Sequence, residues 1–258
     1  MKFNAEYATK ECIKWIKEWF EQNGLDCNAI IGISGGKDST VAAALLVEAL
    51  GKDRVIGVMM PNGKQADIDD SVKVCKHLGI KNYMVNINEA VRSVISSLII
   101  SGVTEKAGGP TNQTMINLPP RIRMATLYAI SQSNNGRVVN TCNYSEDYVG
   151  YSTKYGDAAG DFSPLKNLTV TEIMQIGDYL KLPYELVHKT PSDGLCGKSD
   201  EDNLGFTYAD LDRYIRFKEC EDERVKELID RKHEQNIFKM KPMPYFDMAV
   251  SNFYTKIN

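Results

Sequence analysis

Short apolar segments alternate with longer helical segments along the first half of the chain. Bounded runs rich in Ile, Val and Met predict buried strands at residues 28–33, 53–61, 81–87 and 136–143. Helical periodicity predicts helices at residues 38–50, 66–78, 88–100, 120–131, 169–180 and 208–231. Strands separated by helices indicate βαβ units, which build a parallel sheet covered on both faces. Ligands bind such sheets beyond the carboxyl ends of the strands, so we expect the loops after residues 33, 60 and 141 to line one crevice.

The composition excludes several classes of protein. The 258 residues carry a net charge of −3, with 43% hydrophobic and 25% charged residues, so the chain can bury a core but has no global basic field for a polyanion. No apolar run approaches the ~18 residues of a transmembrane helix. Residues 1–24 lack the apolar centre of a signal peptide. The six cysteines form no C-x-x-C pair, and we interpret them as reduced thiols of a cytoplasmic protein.

The turn after the first predicted strand carries the strongest chemical signal. Residues 34–39 are Ser-Gly-Gly-Lys-Asp-Ser and lie between a strand and a helix. Two glycines without β-carbons let backbone N–H groups approach a ligand closely, and the helix adds its free N–H groups and the positive end of its dipole. The turn therefore suits a phosphate or pyrophosphate, with the following set expected to bind it: Gly32, Ile33, Ser34, Gly35, Gly36, Lys37, Asp38 and Ser39.

An aspartate in this turn separates it from better-known phosphate loops. A Walker A loop requires G-x-x-x-x-G-K-[ST], but here Lys37 is followed by Asp38, and Ile31 stands at the first glycine position. A carboxylate beside phosphates repels them unless a cation intervenes, so Asp38 indicates Mg²⁺ bridging carboxylate and phosphate oxygens. The alternative is a turn whose glycines only ease packing.

The motif resembles the signature of the PP-loop ATP pyrophosphatases, which cleave ATP between its α and β phosphates. Later segments resemble the NAD synthetase family, in the same order along the chain: "NLPPRIRMATLYAI" (117–130), "NTCNYSEDYVGYSTKYGDAAGDFSPLKNLTVTEI" (140–173) and "KTPSDGLCGKSDEDNLGFTYADLD" (189–212). The resemblance implies ATP-dependent amidation of deamido-NAD through an acyl-adenylate, giving NAD, AMP and pyrophosphate. Because no glutaminase domain precedes these motifs, we expect the ammonia-dependent form.

The resemblance also implies a fold and an organisation. It implies an adenine nucleotide alpha hydrolase-like α/β fold, doubly wound around a mainly parallel, five-stranded sheet with helices on both faces. We expect a single domain made of an amino-terminal helix at 1–24, a nucleotide-binding core at 28–142, and substrate loops with carboxy-terminal helices at 143–258. The polar stretches 143–165 and 190–205 are expected to act as lids. A homodimer is implied, with the apolar face of residues 12–20 as one interface candidate and packing against the chain's own sheet as the alternative.

Site roles follow from the resemblance, position by position. Asp38 and Glu146 are implied to bind Mg²⁺, with Asp38 also catalytic and Asp193 handling a proton from ammonium. Outside the turn, the expected ATP contacts are Met60, Thr141 and Ser192. The expected contacts to deamido-NAD are Arg121, Lys154, Asp161 and Lys239.

Two positions depart from the family pattern. Val170 stands where the family often has a lysine that meets ATP phosphates, and we expect Lys37 or Lys166 to compensate. Phe238 stands in place of a late family histidine, next to Lys239 as the matching lysine. Two other functions remain open: another amidating or thiolating PP-loop enzyme, and a nucleotide-binding module without catalysis.

Overall fold

The computed structural model describes residues 3–103, 109–189 and 200–246 of the chain. Within these ranges one parallel sheet forms the centre, with strand order β3-β2-β1-β4. The strands are β1 (Asn28–Gly32), β2 (Val55–Met59), β3 (Lys81–Met84) and β4 (Gly136–Val139). The chain winds outward from β1 to β3 and then crosses to the other side of β1, so the strand order reverses between β1 and β4. Such a reversal opens a crevice at the carboxyl ends of the two strands.

The described residues form four strands, so the expected five-stranded sheet is wrong for this part of the chain. In place of a fifth strand, a single residue pair lies beside β4: Val139 and Phe162 form an isolated parallel bridge. The pairing stops after one residue because the Asp161 carboxylate takes the N–H of Val138. Pro164, two residues after Phe162, has no N–H group to donate to a continued strand pairing.

Helices cover both faces of the sheet, as the sequence predicts. They are α1 (Ala5–Asn23), α2 (Lys37–Leu50), α3 (Ile68–Leu78), α4 (Asn88–Ile100), α5 (Asn112–Ser133), α6 (Tyr144–Val149), α7 (Val170–Tyr179), α8 (Tyr184–Val187), α9 (Asp200–Leu204), α10 (Tyr208–Phe217) and α11 (Glu223–Asn236). None of the described helices is long and apolar enough to cross a membrane.

Alternate residues of the central strand supply two separate cores. Ala29 and Ile31 join the core under α1, α2 and α7, whereas Ile30 joins the core under α4 and α5. Both sides of β1 are fully buried, which explains its uninterrupted apolar sequence. A third cluster joins α6, α10 and α11 and includes Val170 of α7.

The first helix packs against its own chain. Ile16 and Phe20 are buried in the core, and Trp19 stacks on Phe162 with ring centroids 4.4 Å apart. The apolar face of residues 12–20 is therefore buried within the subunit. Of the two alternatives for this face, packing against the chain's own fold is the one observed.

Three helix boundaries differ from the sequence-based prediction. Helix α5 begins at Asn112, capped by Thr111, and runs through Pro119 and Pro120, which the sequence analysis placed at a loop boundary. The segment 208–231, predicted as one helix or a broken one, is broken into α10 and α11, with Lys218 in the left-handed conformation at the end of α10. The stretch 143–165, without apparent periodicity, contains the short helix α6. Each difference arises where a cap, rather than apolar spacing, sets the boundary.

Candidate active site

The glycine turn lies at the carboxyl end of β1 and is closed by its own serines. Ser34 Oγ lies 3.1 Å from Ser39 Oγ, and Ser34 Oγ accepts a hydrogen bond from the Gly36 N–H at 3.2 Å. Ser39 Oγ also donates to the Gly36 carbonyl at 3.1 Å. Both hydroxyls therefore hold the shape of the turn, and Gly36 serves as the N-cap residue of α2 without a side-chain cap. The N–H groups of the first turn of α2 are thus directed at the crevice.

Gly35 has two reasons to be glycine. Its φ of +82° lies in the left-handed region. A β-carbon there would lie 2.8 Å from the backbone nitrogen of Ser71 in α3. The absence of a side chain therefore permits both the turn and the close approach of a neighbouring helix.

An asparagine connects the two expected metal ligands, Asp38 and Glu146, by hydrogen bonds. Asn143 donates from Nδ2 to Oδ1 of Asp38 at 3.0 Å, and its Oδ1 accepts from the Glu146 N–H at 2.9 Å. Glu146 Oε2 in turn accepts from the Asn143 N–H at 3.3 Å, completing a capping box at the start of α6. This fully buried asparagine joins the loop after β1 to the loop after β4, as the expected crevice requires.

Acidic charge is concentrated beside the turn. Burial, reinforced by the charge of Asp38, holds the pKa of Glu146 well above its usual range, with Lys37 acting in the opposite direction. Lys37 is 5% exposed and lies 3.0 Å, from Nζ, from Oδ2 of Asp38. Burial is the largest influence on the Lys37 pKa and lowers it, but Asp38, Glu146 and Asp200 together raise it overall. The site therefore holds a buried ammonium among carboxylates.

The donor set fits Mg²⁺ that arrives with a nucleotide. Asp38 and Glu146 supply two carboxylates, and among the described residues no group of three or more His, Cys, Asp and Glu side chains is arranged to hold a metal. Mg²⁺ is typically bound by one or two carboxylates plus substrate phosphates, rather than by a cage made of protein alone. A glycine turn with free backbone N–H groups, next to two carboxylates, meets that requirement.

The remaining expected ATP contacts lie at the mouth of the crevice or outside the described residues. Met60 follows β2, and a β-carbon at Gly32 would lie 3.4 Å from its Cε, so the ends of β1 and β2 are in contact. Thr141 follows β4 and is half-buried. Ser192 and Asp193 lie outside the described residues.

Three of the four residues expected to bind deamido-NAD are gathered on the far side of α6. Arg121 donates from Nε to the Lys154 carbonyl at 3.3 Å. The Lys154 ammonium lies 5.6 Å from the ring centroid of Phe238. Lys239, next in sequence, donates to the carbonyls of Gly150 at 2.8 Å and Ser152 at 3.3 Å.

Asp161 is engaged by the protein itself. Its Oδ2 accepts from the N–H of Val138 at 2.7 Å, and its Oδ1 accepts from the Tyr128 hydroxyl at 3.1 Å. These bonds fix the edge of β4. The carboxylate therefore has a structural task besides any contact to a substrate.

The two lysines expected to compensate for Val170 lie in different places. Val170 is 3% exposed and packs in the apolar cluster of α10. Lys166 is exposed and lines a cavity of about 310 Å³ together with Asp147 and Lys239. Lys37, by contrast, lies against Asp38 in the glycine turn, so of the two lysines it is the one beside the expected phosphate position.

Sequence reasoning missed two residues of the site. Asn143 had a signal, because N-x-x-E is a capping-box pattern that marks the start of a helix. Tyr208, whose ring carries the Lys37 ammonium at 5.4 Å from its centroid, lies within the family-like segment 189–212 but was assigned no role, because its place beside Lys37 depends on how α10 packs.

A parallel α/β sheet with a glycine turn and paired carboxylates at its switch point defines a nucleotide-binding enzyme class. The NAD synthase family model matches residues 8–248. The NH(3)-dependent NAD(+) synthetase of Finegoldia magna is 37% identical over 97% of this chain and 100% of its own length. The enzyme of that name from Pyrococcus furiosus is 36% identical over 88% of this chain and 85% of its own. The chain belongs to the NAD synthase family.

Solved structures agree on the fold. The NMN synthetase of Francisella tularensis superposes with a TM-score of 0.85 and 29% identity, covering 96% of this chain and 100% of its own. The NAD⁺ synthetase of Burkholderia pseudomallei superposes with a TM-score of 0.75 and 25% identity, covering 93% and 91%.

Proposed function

We propose that the chain amidates deamido-NAD with ammonia, converting ATP to AMP and pyrophosphate and giving NAD. The observation that carries this proposal is the Asp38–Asn143–Glu146 arrangement beside a phosphate-binding turn, in a member of the NAD synthase family. A simple nucleotide-binding module needs no second carboxylate at that position. Relatives named NH(3)-dependent NAD(+) synthetases support this reading over another amidating or thiolating enzyme.

Adenylation is the first step of the proposed reaction. An oxygen of the nicotinate carboxylate attacks the α-phosphorus of ATP, and pyrophosphate leaves with the electron pair of the broken P–O bond. The N–H groups at the start of α2 and the Lys37 ammonium stabilise the charge that develops on the departing pyrophosphate. Asp38 and Glu146 would hold Mg²⁺, which when bound neutralises phosphate charge.

Amidation is the second step. The nitrogen of ammonia attacks the carbonyl carbon of the acyl-adenylate, AMP leaves with the electron pair of the C–O bond, and one proton is released. Neither step requires a covalent bond to the protein, so the chain contributes positioning and the exclusion of water. We propose Arg121, Lys154 and Lys239 as contacts to deamido-NAD and Asp193 as the residue that handles the proton.

A mononucleotide is the second candidate substrate. The Francisella tularensis NMN synthetase superposes with a TM-score of 0.85, against 0.75 for the Burkholderia pseudomallei enzyme. A mononucleotide that carries the same nicotinate group would undergo the same two steps without a distal adenosine. The reacting groups are shared, and only the binding of the second nucleotide half differs.

A product assay separates these candidates. The protein is incubated with ATP, Mg²⁺ and ammonium, and with either deamido-NAD or nicotinic acid mononucleotide, and the products are resolved by chromatography. We expect NAD, AMP and pyrophosphate from the dinucleotide arm at the greater kcat/KM. A preference for the mononucleotide selects the second candidate, and release of ADP and orthophosphate contradicts both.

Asp38→Asn is the inactive reference for that assay. It keeps the size of the side chain but removes the charge facing Lys37 and the proposed Mg²⁺. We expect a loss of kcat of at least about 100-fold, since charge stabilisation of this kind contributes several kcal/mol. The circular dichroism spectrum should stay that of a folded protein, and near-full activity at saturating Mg²⁺ contradicts the role of Asp38.

We also propose a homodimer. Its support is a group of exposed apolar side chains on α4 and the first turns of α5, which a second copy would cover: Ile99, Ile100, Met115 and Ile116. Sedimentation equilibrium that gives a monomer mass at micromolar concentration contradicts this proposal.

A further inference from the structure

Tyr208 holds a buried hydroxyl without a hydrogen-bond partner. The residue opens α10 and is 3% exposed. Its hydroxyl has no partner among the residues that the structure describes. Leaving a buried donor unpaired is unfavourable, and such a group in a native protein calls for a reason.

The position of the Tyr208 ring supplies the reason. The Lys37 ammonium lies 5.4 Å from the centroid of the Tyr208 ring and 3.0 Å from Oδ2 of Asp38. Burial raises the pKa of the Tyr208 phenol, and the charges of Glu146, Asp200 and Asp38 raise it further. The ring therefore forms a wall of the compartment that contains the glycine turn and both proposed metal ligands.

The ring and the hydroxyl have separate functions. A cation over an aromatic face is stabilised without the hydroxyl, so the packing of Lys37 needs only the ring. A second tyrosine on the same helix shows the ordinary arrangement, because the Tyr214 hydroxyl donates to Asp230 at 2.7 Å. Tyr208 thus carries a polar group that the packing of Lys37 does not use.

We propose that the Tyr208 hydroxyl donates a hydrogen bond to an acceptor oxygen of the bound metal–ATP complex and so contacts the substrate during adenylation. The assignment rests on the proposed function, because it takes ATP as the ligand of the glycine turn. A phenol is neutral at pH 7 and can donate to an anionic oxygen. The acceptor is either a phosphate oxygen or a metal-bound water.

Tyr208→Phe tests the proposal through two measurements, the stability of the free protein and its affinity for an ATP analogue. The variant keeps the ring but removes the unpaired hydroxyl, so the unfolding midpoint without ligand should stay the same or rise. Its affinity for α,β-methylene-ATP with Mg²⁺, measured by calorimetry without turnover, should fall about 10- to 100-fold, the value of a hydrogen bond to a charged group. A purely structural hydroxyl would instead lower the midpoint and leave the affinity unchanged.

Tyr214→Phe is the matched control. It removes a hydroxyl that has a partner, so its unfolding midpoint should fall while its affinity for the analogue stays that of the unaltered protein. Repeating the Tyr208→Phe titration in EDTA identifies the acceptor. A loss that persists without metal assigns a phosphate oxygen, and a loss seen only with Mg²⁺ assigns an oxygen bound to the metal.

The outcomes separate this inference from the function itself. Unchanged analogue affinity in Tyr208→Phe, in a protein that makes amidated product, overturns the role of Tyr208 alone. Weakened affinity in a protein that amidates neither nicotinate substrate leaves the contact to ATP standing and overturns the proposed function.

Discussion

Asn143 donates a hydrogen bond of 3.0 Å from its side-chain amide to Oδ1 of Asp38, across 105 residues of sequence. The same side chain accepts from the Glu146 N–H and so starts α6. One amide therefore sets the separation of the two proposed metal ligands. Its two functions can be divided by mutation, because serine also caps helices but cannot reach Asp38 with an N–H group.

Asn143→Ser should separate the cap from the positioning of Asp38. Serine keeps an acceptor for the Glu146 N–H, so we expect a loss of unfolding free energy of only about 1 kcal/mol. The apparent Mg²⁺ requirement should rise about 10-fold or more, because Asp38 loses the bond that orients it. Activity is measured as a function of Mg²⁺ concentration. Asn143→Ala, which also loses the cap, should be less stable than the serine variant, and an unchanged Mg²⁺ curve for serine contradicts the positioning role.

Gly35→Ala should be more damaging than Gly51→Ala. Both glycines have φ near +80°, at +82° and +81°, so alanine carries backbone strain of about 1–3 kcal/mol at either position. At Gly35 the new methyl also meets the Ser71 nitrogen at 2.8 Å, whereas at Gly51 no atom lies within 4 Å. Urea unfolding of the two variants compares the losses of unfolding free energy. Equal losses would mean that α3 moves away freely.

Asp161→Asn should destabilise the fold. The carboxylate accepts two hydrogen bonds, from the Val138 N–H and the Tyr128 hydroxyl, while an amide offers one oxygen and places a donor against a donor. We expect the free energy of unfolding to fall by about 1–3 kcal/mol. Tyr128→Phe, which leaves the Val138 bond intact, should lose less. A variant as stable as the unaltered protein, but with weaker binding of deamido-NAD, would show that contact to the substrate is its main role.

Lys189→Met should lower stability in a pH-dependent manner. Lys189 donates to Asp67 at 2.9 Å and to Asp70 at 2.8 Å, and these bonds are the main cause of the lowered pKa of both carboxyls. A carboxyl with a lowered pKa in the folded state stabilises it above the ordinary value near ~4 and loses this effect as the pH falls through the folded pKa.

The expected difference between unaltered protein and variant is about 0.5–1 kcal/mol at pH 7, because all three side chains are partly exposed and screened. In denaturant titrations the difference should shrink as the pH falls below ~4 and through the lowered pKa values of the two carboxyls. Lys73→Met is the control, since Lys73 pairs with Asp70 from a 56% exposed position and should contribute less. A difference that persists unchanged at pH 3 contradicts the assignment to the carboxyls.

Local sequence was sufficient for the centre of the fold and for the glycine turn between β1 and α2. An apolar run bounded by polar residues predicts β1, and two glycines followed by a helix-forming segment predict the turn and α2. These features depend on residues that are close to one another in the sequence. Local sequence was insufficient for the number of strands, because the Asp161 carboxylate at the edge of β4 limits further pairing. It was also insufficient for the start of α5, which the Thr111 cap sets.

The sequence by itself determined the residue types of the site: the glycines of the turn, the aspartate Asp38 that follows them, and the family to which the motifs belong. Tertiary structure alone decided that Asn143 joins Asp38 to Glu146 and that the ring of Tyr208 covers Lys37. The physical reason is that backbone conformation responds to nearby residues, whereas the position of a buried charge depends on which distant segments exclude water from it.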